Sequence, residues 1–122
     1  MIERARSTTA QSAGDRGEER AAQFLQRNGL RIIERNYRTR LGEIDLIARD
    51  GDVLVFVEVR LRADDRFGGA AASIGPAKQR RLAAAASAYL SRLGRAPRCR
   101  FDVVTLERGE PAWLRGAFDA AW

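Results

Sequence analysis

Apolar and polar positions recur along this chain in two periods, and each change of period marks an element. From about Asp15, the run DRGEERAAQFLQRNGL brings Ala21, Ala22 and Leu25 back at helical spacing. It stops at Asn28-Gly29, a pair suited to a carboxyl cap. LRIIERNYR has the β-branched and aromatic content of a strand ending near Thr39. Residues 42 to 62, GEIDLIARDGDVLVFVEVRLR, read as the two arms of a hairpin. After a Gly- and Ala-rich loop, FGGAAASIG, Pro76 opens a second helix to about Leu93, with Leu82, Ala86, Tyr89, Leu90 and Leu93 on one stripe. RAPR turns the chain, CRFDVVTLE is a strand, and PAWLRGAF is a short edge element. The predicted order is helix, three strands, helix, strand.

Asp50-Gly51 lies between two strand patterns and predicts a two-residue hairpin loop. Arg49 then faces Asp52, Asp45 faces Phe56, and Glu43 faces Glu58. Opposed residues share a face and strand residues alternate, so Glu43, Asp45, Glu58 and Arg60 all point to one side. Asp45 and Glu58 become diagonal neighbours that a divalent cation could bridge. The other side is Ile44, Leu46, Ala48, Val53, Val55, Val57, Val59 and Leu61, entirely apolar and read as core.

Each helix adds one charged residue to this picture. Glu18 stands on the Ala21, Ala22, Leu25 stripe and looks inward, whereas Glu19 belongs with Gln23 and Gln26 outside. Lys78 heads the Leu82, Ala85, Tyr89 stripe and leans toward the sheet. Simpler roles stand beside these. Asp15 and Glu18 have capping-box spacing, the four charged hairpin residues suit a solvated face with cross-strand ion pairs, and Lys78 suits a solvated helix start. Directly opposed Glu43 and Glu58 would repel, which favours a cation over a bare surface.

Composition narrows the chemistry. The 122 residues suffice for one core, and the single cysteine, Cys99, rules out an intramolecular disulfide and suits a reducing compartment. No apolar run is long enough for a membrane span, and residues 1–13 read as a flexible basic tail, so a soluble cytoplasmic chain is expected. The net charge of +6, from 22 basic and 16 acidic residues, favours a polyanionic partner, nucleic acid before membrane. The absence of histidine removes the Ser-His-Asp and Cys-His triads and imidazole zinc sites. Carboxylate, Lys and Arg chemistry remains, and carboxylates select hard cations such as Mg²⁺ or Mn²⁺.

Asp45 with Glu58-Val59-Arg60 on adjacent strands, after a helix bearing an inward Glu, resembles the PD-(D/E)xK nuclease superfamily. More closely, GEIDLIARDG, VFVEVR, FGGAAAS and CRFDVV resemble the YraN-type uncharacterised bacterial family, related to archaeal Holliday junction resolvases, over about Gly14 to the carboxyl end. The resemblance implies an α/β fold with a restriction endonuclease-like αβββαβ core, a mixed central sheet flanked by helices, and residues 14–122 as a single domain. It further implies Asp45 and Glu58 as metal ligands, Glu18 as an accessory carboxylate and position 60 as the catalytic partner of Glu58. The superfamily usually has Lys at that position, and this chain has Arg60, whose guanidinium stays protonated. Lys78 is then the candidate for the missing amine.

The expected activity is Mg²⁺- or Mn²⁺-dependent hydrolysis of phosphodiester bonds in DNA, branched DNA included. The metal would be held by Asp45, Glu58 and either Glu18 or Glu43, and Arg60 would bind the scissile phosphate. Arg38, Arg40, Arg62, Arg66, Arg80 and Arg81 would hold the backbone without reading bases. A symmetric homodimer follows by analogy with junction resolvases. The alternative is a non-catalytic nucleic-acid-binding or adaptor module with a vestigial site. A third reading is a partner protein that pairs through an exposed edge strand.

Overall fold

The computed structural model of the chain describes residues 9–61, 74–107 and 110–119. Its elements run α1 (Thr9–Arg27), β1 (Arg31–Arg38), β2 (Glu43–Asp50), β3 (Val53–Arg60), α2 (Pro76–Leu93), β4 (Cys99–Glu107) and β5 (Glu110–Phe118). The strands form one sheet in the order β1-β2-β3-β4-β5. Only β3 and β4 are parallel, and α2 lies in the connection between them. A parallel neighbour cannot be reached by a tight turn, so a crossover helix is what the topology requires. This is the expected α/β architecture, a mixed five-stranded sheet flanked by two helices and consistent with a restriction endonuclease-like core. PAWLRGAF falls within β5, which forms one edge of the sheet.

The helix ends follow local chemistry. Pro76 occupies the first turn of α2, and Gly94 closes it in the left-handed region at φ 76, its N–H bonded to the Leu90 carbonyl. Helix α1 starts earlier than the Asp15 expected, taking in residues 9–13 of the predicted tail; the rest of that tail lies outside the described residues. Asp15 therefore sits inside the helix and cannot cap it, which leaves the capping-box role for Glu18 without a cap.

Both faces of the sheet are covered. Under α2 lie Ile47, Leu54, Phe56, Phe101 and Val103 with Leu82, Ala85, Ala86 and Tyr89. Under α1 lie Leu46, Ala48, Val55, Val57, Val104 and Leu106 with Ala21, Ala22 and Leu25. The division into one apolar and one charged hairpin face is thus corrected. Strand β3 is apolar on both sides because α2, in the parallel crossover, covers one face and α1 covers the other, and the charges gather only at one end. Leu61, expected in the core, is 47 % exposed past that end.

The hairpin register is corrected as well. Asp50 pairs with Val53 and Leu46 with Val57, so the loop is Gly51-Asp52 rather than Asp50-Gly51. Asp50-Gly51 as a type I′ loop would need positive φ at both residues. Only Gly51 has it, at φ 61, which suits a turn with glycine first. Asp50 stays in the strand, where Arg100 Nη2 meets its carboxylate at 3.0 Å. The displacement is an even number of residues, so no side chain changes face. Phe56 thus faces Ile47 rather than Asp45, and the ladder ends at Leu46 and Val57, so Glu43 and Glu58 are not paired.

Candidate active site

The strand alternation breaks at Asp45. Ile44 joins the cluster under α2 and Leu46 the one under α1, although residues two apart should share a face. Across from this point on β1, Asn36 holds a left-handed φ of 51, bracketed by the pairs Arg35 with Leu46 and Tyr37 with Ile44. The β2–β3 pairs end at Leu46 and Val57, and the Val59 N–H then donates to Asp45 Oδ2 at 2.8 Å. Asp45 thus stitches a fork in the sheet with its side chain, where the regular ladder has ended.

Glu58 lies beside it, 6 % exposed. Burial raises its carboxyl to about 7, and the Asp45 charge adds to the rise against the opposing Lys78 and Arg60 cations. Asp45 is also raised, chiefly by burial, with the Val59 N–H and Lys78 pulling it down. The two carboxyls lie close enough to act on each other, the Asp45 charge raising Glu58 and Glu58 drawing Asp45 down. Lys78 Nζ stands 3.5 Å from Glu58 Oε2, and Arg60 Nη1 stands 3.7 Å from the same oxygen. The ammonium at the start of α2 therefore faces the sheet rather than bulk water.

Glu18 meets the pair from α1. Its carboxyl rises to about 7, first through burial and then through the Asp45 charge, and the Asn36 side-chain hydrogen bond opposes the rise. Gly17, one residue before it, is buried against the Leu61 side chain. Glu43 stands outside the pair, exposed and bound to Arg38 Nε at 2.9 Å, though its charge adds to the rise at Asp45. Among the described residues no three His, Cys, Asp or Glu converge in a metal-holding group.

A cleft of about 350 Å³, lined in part by Arg38, Arg40, Glu43, Lys78 and Arg81, shares Lys78 with this group, although Glu18, Asp45 and Glu58 do not line it. Arg80 is exposed on the same helix as Lys78 and Arg81. Arg62, Arg66 and the glycine- and alanine-rich segment FGGAAAS lie outside the described residues.

Sequence reasoning gave no role to Asn36 or Asp102. Asn is depleted in strands and tolerates left-handed backbone, so NYR within a strand pattern was a usable signal. Asp102 is buried on β4 and takes Arg100 Nε at 2.9 Å, Trp113 Nε1 at 2.9 Å and the Gly116 N–H at 3.0 Å. The charge inside CRFDVVTLE was visible; its partners were not.

Residues 17–106 match the uncharacterised protein family UPF0102. The chain is similar to a UPF0102 protein of Janthinobacterium sp. (strain Marseille), 53 % identical over 93 % of this chain and 92 % of that one. A UPF0102 protein of Alkalilimnicola ehrlichii is 58 % identical over 88 % of this chain and 86 % of its own. One from Cupriavidus metallidurans is 59 % identical over 94 % and 85 % respectively. The chain belongs to the uncharacterised protein family UPF0102.

Proposed function

We propose that the protein is a metal-dependent, endonuclease-like nucleic-acid-binding protein that hydrolyses phosphodiester bonds in DNA, branched DNA included. The observation that carries this reading is the meeting of half-buried Asp45 and buried Glu58 beside Lys78 and Arg60. Burial raises both carboxyls, and the Asp45 charge raises Glu58 further, so the nearby cations under-compensate the pair. Their donor set fits Mg²⁺ or Mn²⁺, because Mg²⁺ is commonly held by one or two carboxylates and completes its shell with water and substrate phosphate.

Asp45 and Glu58 would hold the ion, and when bound it would neutralise charge on the phosphoryl oxygens and acidify water. The protein's own residues supply the rest. Arg60 is a fixed cation for a non-bridging phosphate oxygen, and its planar fork suits that contact. Lys78 lies where it can donate to a phosphate oxygen once the ion takes over its role at Glu58. Glu18, with its carboxyl near neutrality, can take or give a proton at physiological pH. Arg40, Arg81 and the neighbouring cations hold the backbone by charge, without reading sequence.

No described helix is long and apolar enough to cross a membrane. The proposed setting is the cytoplasm with DNA as partner, and a homodimer is the assembly the junction-resolvase analogy implies. The second reading, a nucleic-acid-binding module without turnover, is favoured by Arg60, which cannot serve as a base. The deciding experiment is cleavage of a four-way DNA junction with Mn²⁺ by the wild type and by Asp45→Ala. Turnover in the wild type that Asp45→Ala loses supports the nuclease. The same background in both, with salt-sensitive binding retained, supports the module.

A further inference from the structure

Leu41 is 67 % exposed, the highest value among the large apolar side chains described. It stands at the tip of the β1–β2 turn, and that turn is tightly tied. The Thr39 N–H donates to the Gly42 carbonyl at 2.8 Å, and the Thr39 hydroxyl accepts the N–H groups of Leu41 and Gly42, each at 3.1 Å. Gly42 is pressed against the Arg81 carbonyl of α2, where any Cβ would collide with backbone. The turn is thus pinned to the helix, and holding Leu41 in water costs little further ordering when something binds it.

Its surroundings say what that partner is. Arg40 precedes it, and Arg38, Lys78 and Arg81 line the cleft beside it. Glu43 neutralises Arg38, while Arg40 and Arg81 are both exposed. An apolar tip ringed by cations is poorly suited to an apolar protein groove or to an acidic peptide alone. It suits a polyanion with an apolar interior that can be opened, which is a base stack flanked by phosphates. Lys78 lines the cleft and also reaches Glu58, so a backbone in the cleft leads to the carboxylates.

We propose that the β1–β2 turn is a nucleic-acid wedge: Leu41 enters an unstacked base step of duplex DNA while Arg40 and Arg81 hold the flanking phosphates, so that already opened or bent duplexes are preferred over straight ones. The inference rests on the nucleic-acid reading above but not on turnover. Unstacking is cheaper where the stack is already interrupted, so the apolar contact discriminates and the arginines do not.

The test measures binding of a four-way junction and of a linear duplex of equal length in EDTA, where nothing is cleaved, using the full chain. Leu41→Ser should lower the junction-to-duplex affinity ratio by about tenfold, equivalent to about 1.4 kcal/mol. Its affinity for the linear duplex and its salt slope should stay unchanged. Arg40→Gln should weaken both substrates alike and reduce the salt slope by about one. A 2-aminopurine at the junction centre should brighten on adding wild type and not on adding Leu41→Ser. An unchanged ratio in Leu41→Ser, or equal loss on both substrates, overturns the wedge. A Leu41-dependent preference without any cleavage in Mn²⁺ would leave the wedge standing and remove the nuclease.

Discussion

Asp45 and Asp102 use the same device at two points of one sheet and end in opposite electrostatic states. Each sits where a ladder is interrupted, and each accepts a backbone N–H of the neighbouring strand, Val59 at 2.8 Å and Gly116 at 3.0 Å. The β4–β5 pairing is irregular between Phe101 and Val103, and Gly116 opposite holds φ 62. Asp102 then receives the Arg100 guanidinium and the Trp113 indole, and Trp113 packs edge-on against Phe24 of α1 at 6.0 Å. Asp45 receives Glu58 and Glu18 instead, two further acids. A stitched ladder is therefore only architecture. What marks a site is the charge left uncompensated beside it.

The contrast can be broken most decisively at Asp102. Asp102→Ala leaves an indole N–H and a backbone N–H without their acceptor and the Arg100 guanidinium with Asp50 alone, and should cost about 3–5 kcal/mol in urea unfolding. Asp45→Asn should cost about 1 kcal/mol or less, since it removes a repelled charge and keeps an acceptor for Val59. Equal losses at the two positions would erase the distinction.

Divalent ions should separate the same pair by a smaller amount. Mg²⁺ or Mn²⁺ at a hundredfold its dissociation constant should stabilise the wild type by about 2.7 kcal/mol. Thermal unfolding should show a rise in melting temperature that Asp45→Ala lacks. A rise of the same size in Asp45→Ala would place the ion elsewhere.

The smallest effect is in pH dependence. Glu58 titrates at about 7 in the native state against 4.5 in the unfolded chain, so between those values the native state holds a proton that the unfolded one has released. Stability must then fall as pH rises from about 5 to about 7, with a slope of at most about 1.4 kcal/mol per pH unit for that proton. Glu58→Gln should flatten this fall and gain about 1 kcal/mol at pH 8 relative to the wild type. Urea midpoints across pH 5 to 8 measure both, and a Glu58→Gln profile as steep as the wild type would show that the proton sits on another group.

Much of the site could be read from residue order. The inward Glu18 came from helical spacing, Lys78 from its place on the α2 stripe, and the association of Asp45 with Glu58 from strand parity. The wrong loop did no harm to the parity argument, since an even displacement turns no side chain over; the argument failed only at Asp45, where Ile44 and Leu46 enter opposite clusters. The loop itself was misjudged because Asp50-Gly51 and Gly51-Asp52 are both acceptable turns locally. Arg100, far along the chain, holds Asp50 in the strand and settles the choice.

The order of helices and strands, the limits of α2 and β4, and the gathering of acids on the hairpin were determined by the sequence itself, because spacing, turn residues and caps act between near neighbours. Tertiary structure alone decided that the sheet is buried on both sides, that alternation fails at Asp45, and that Asp102 is neutralised while Asp45 is not. Those outcomes depend on which groups from distant segments meet in a low-dielectric interior, where a charge is either matched by its neighbours or left available.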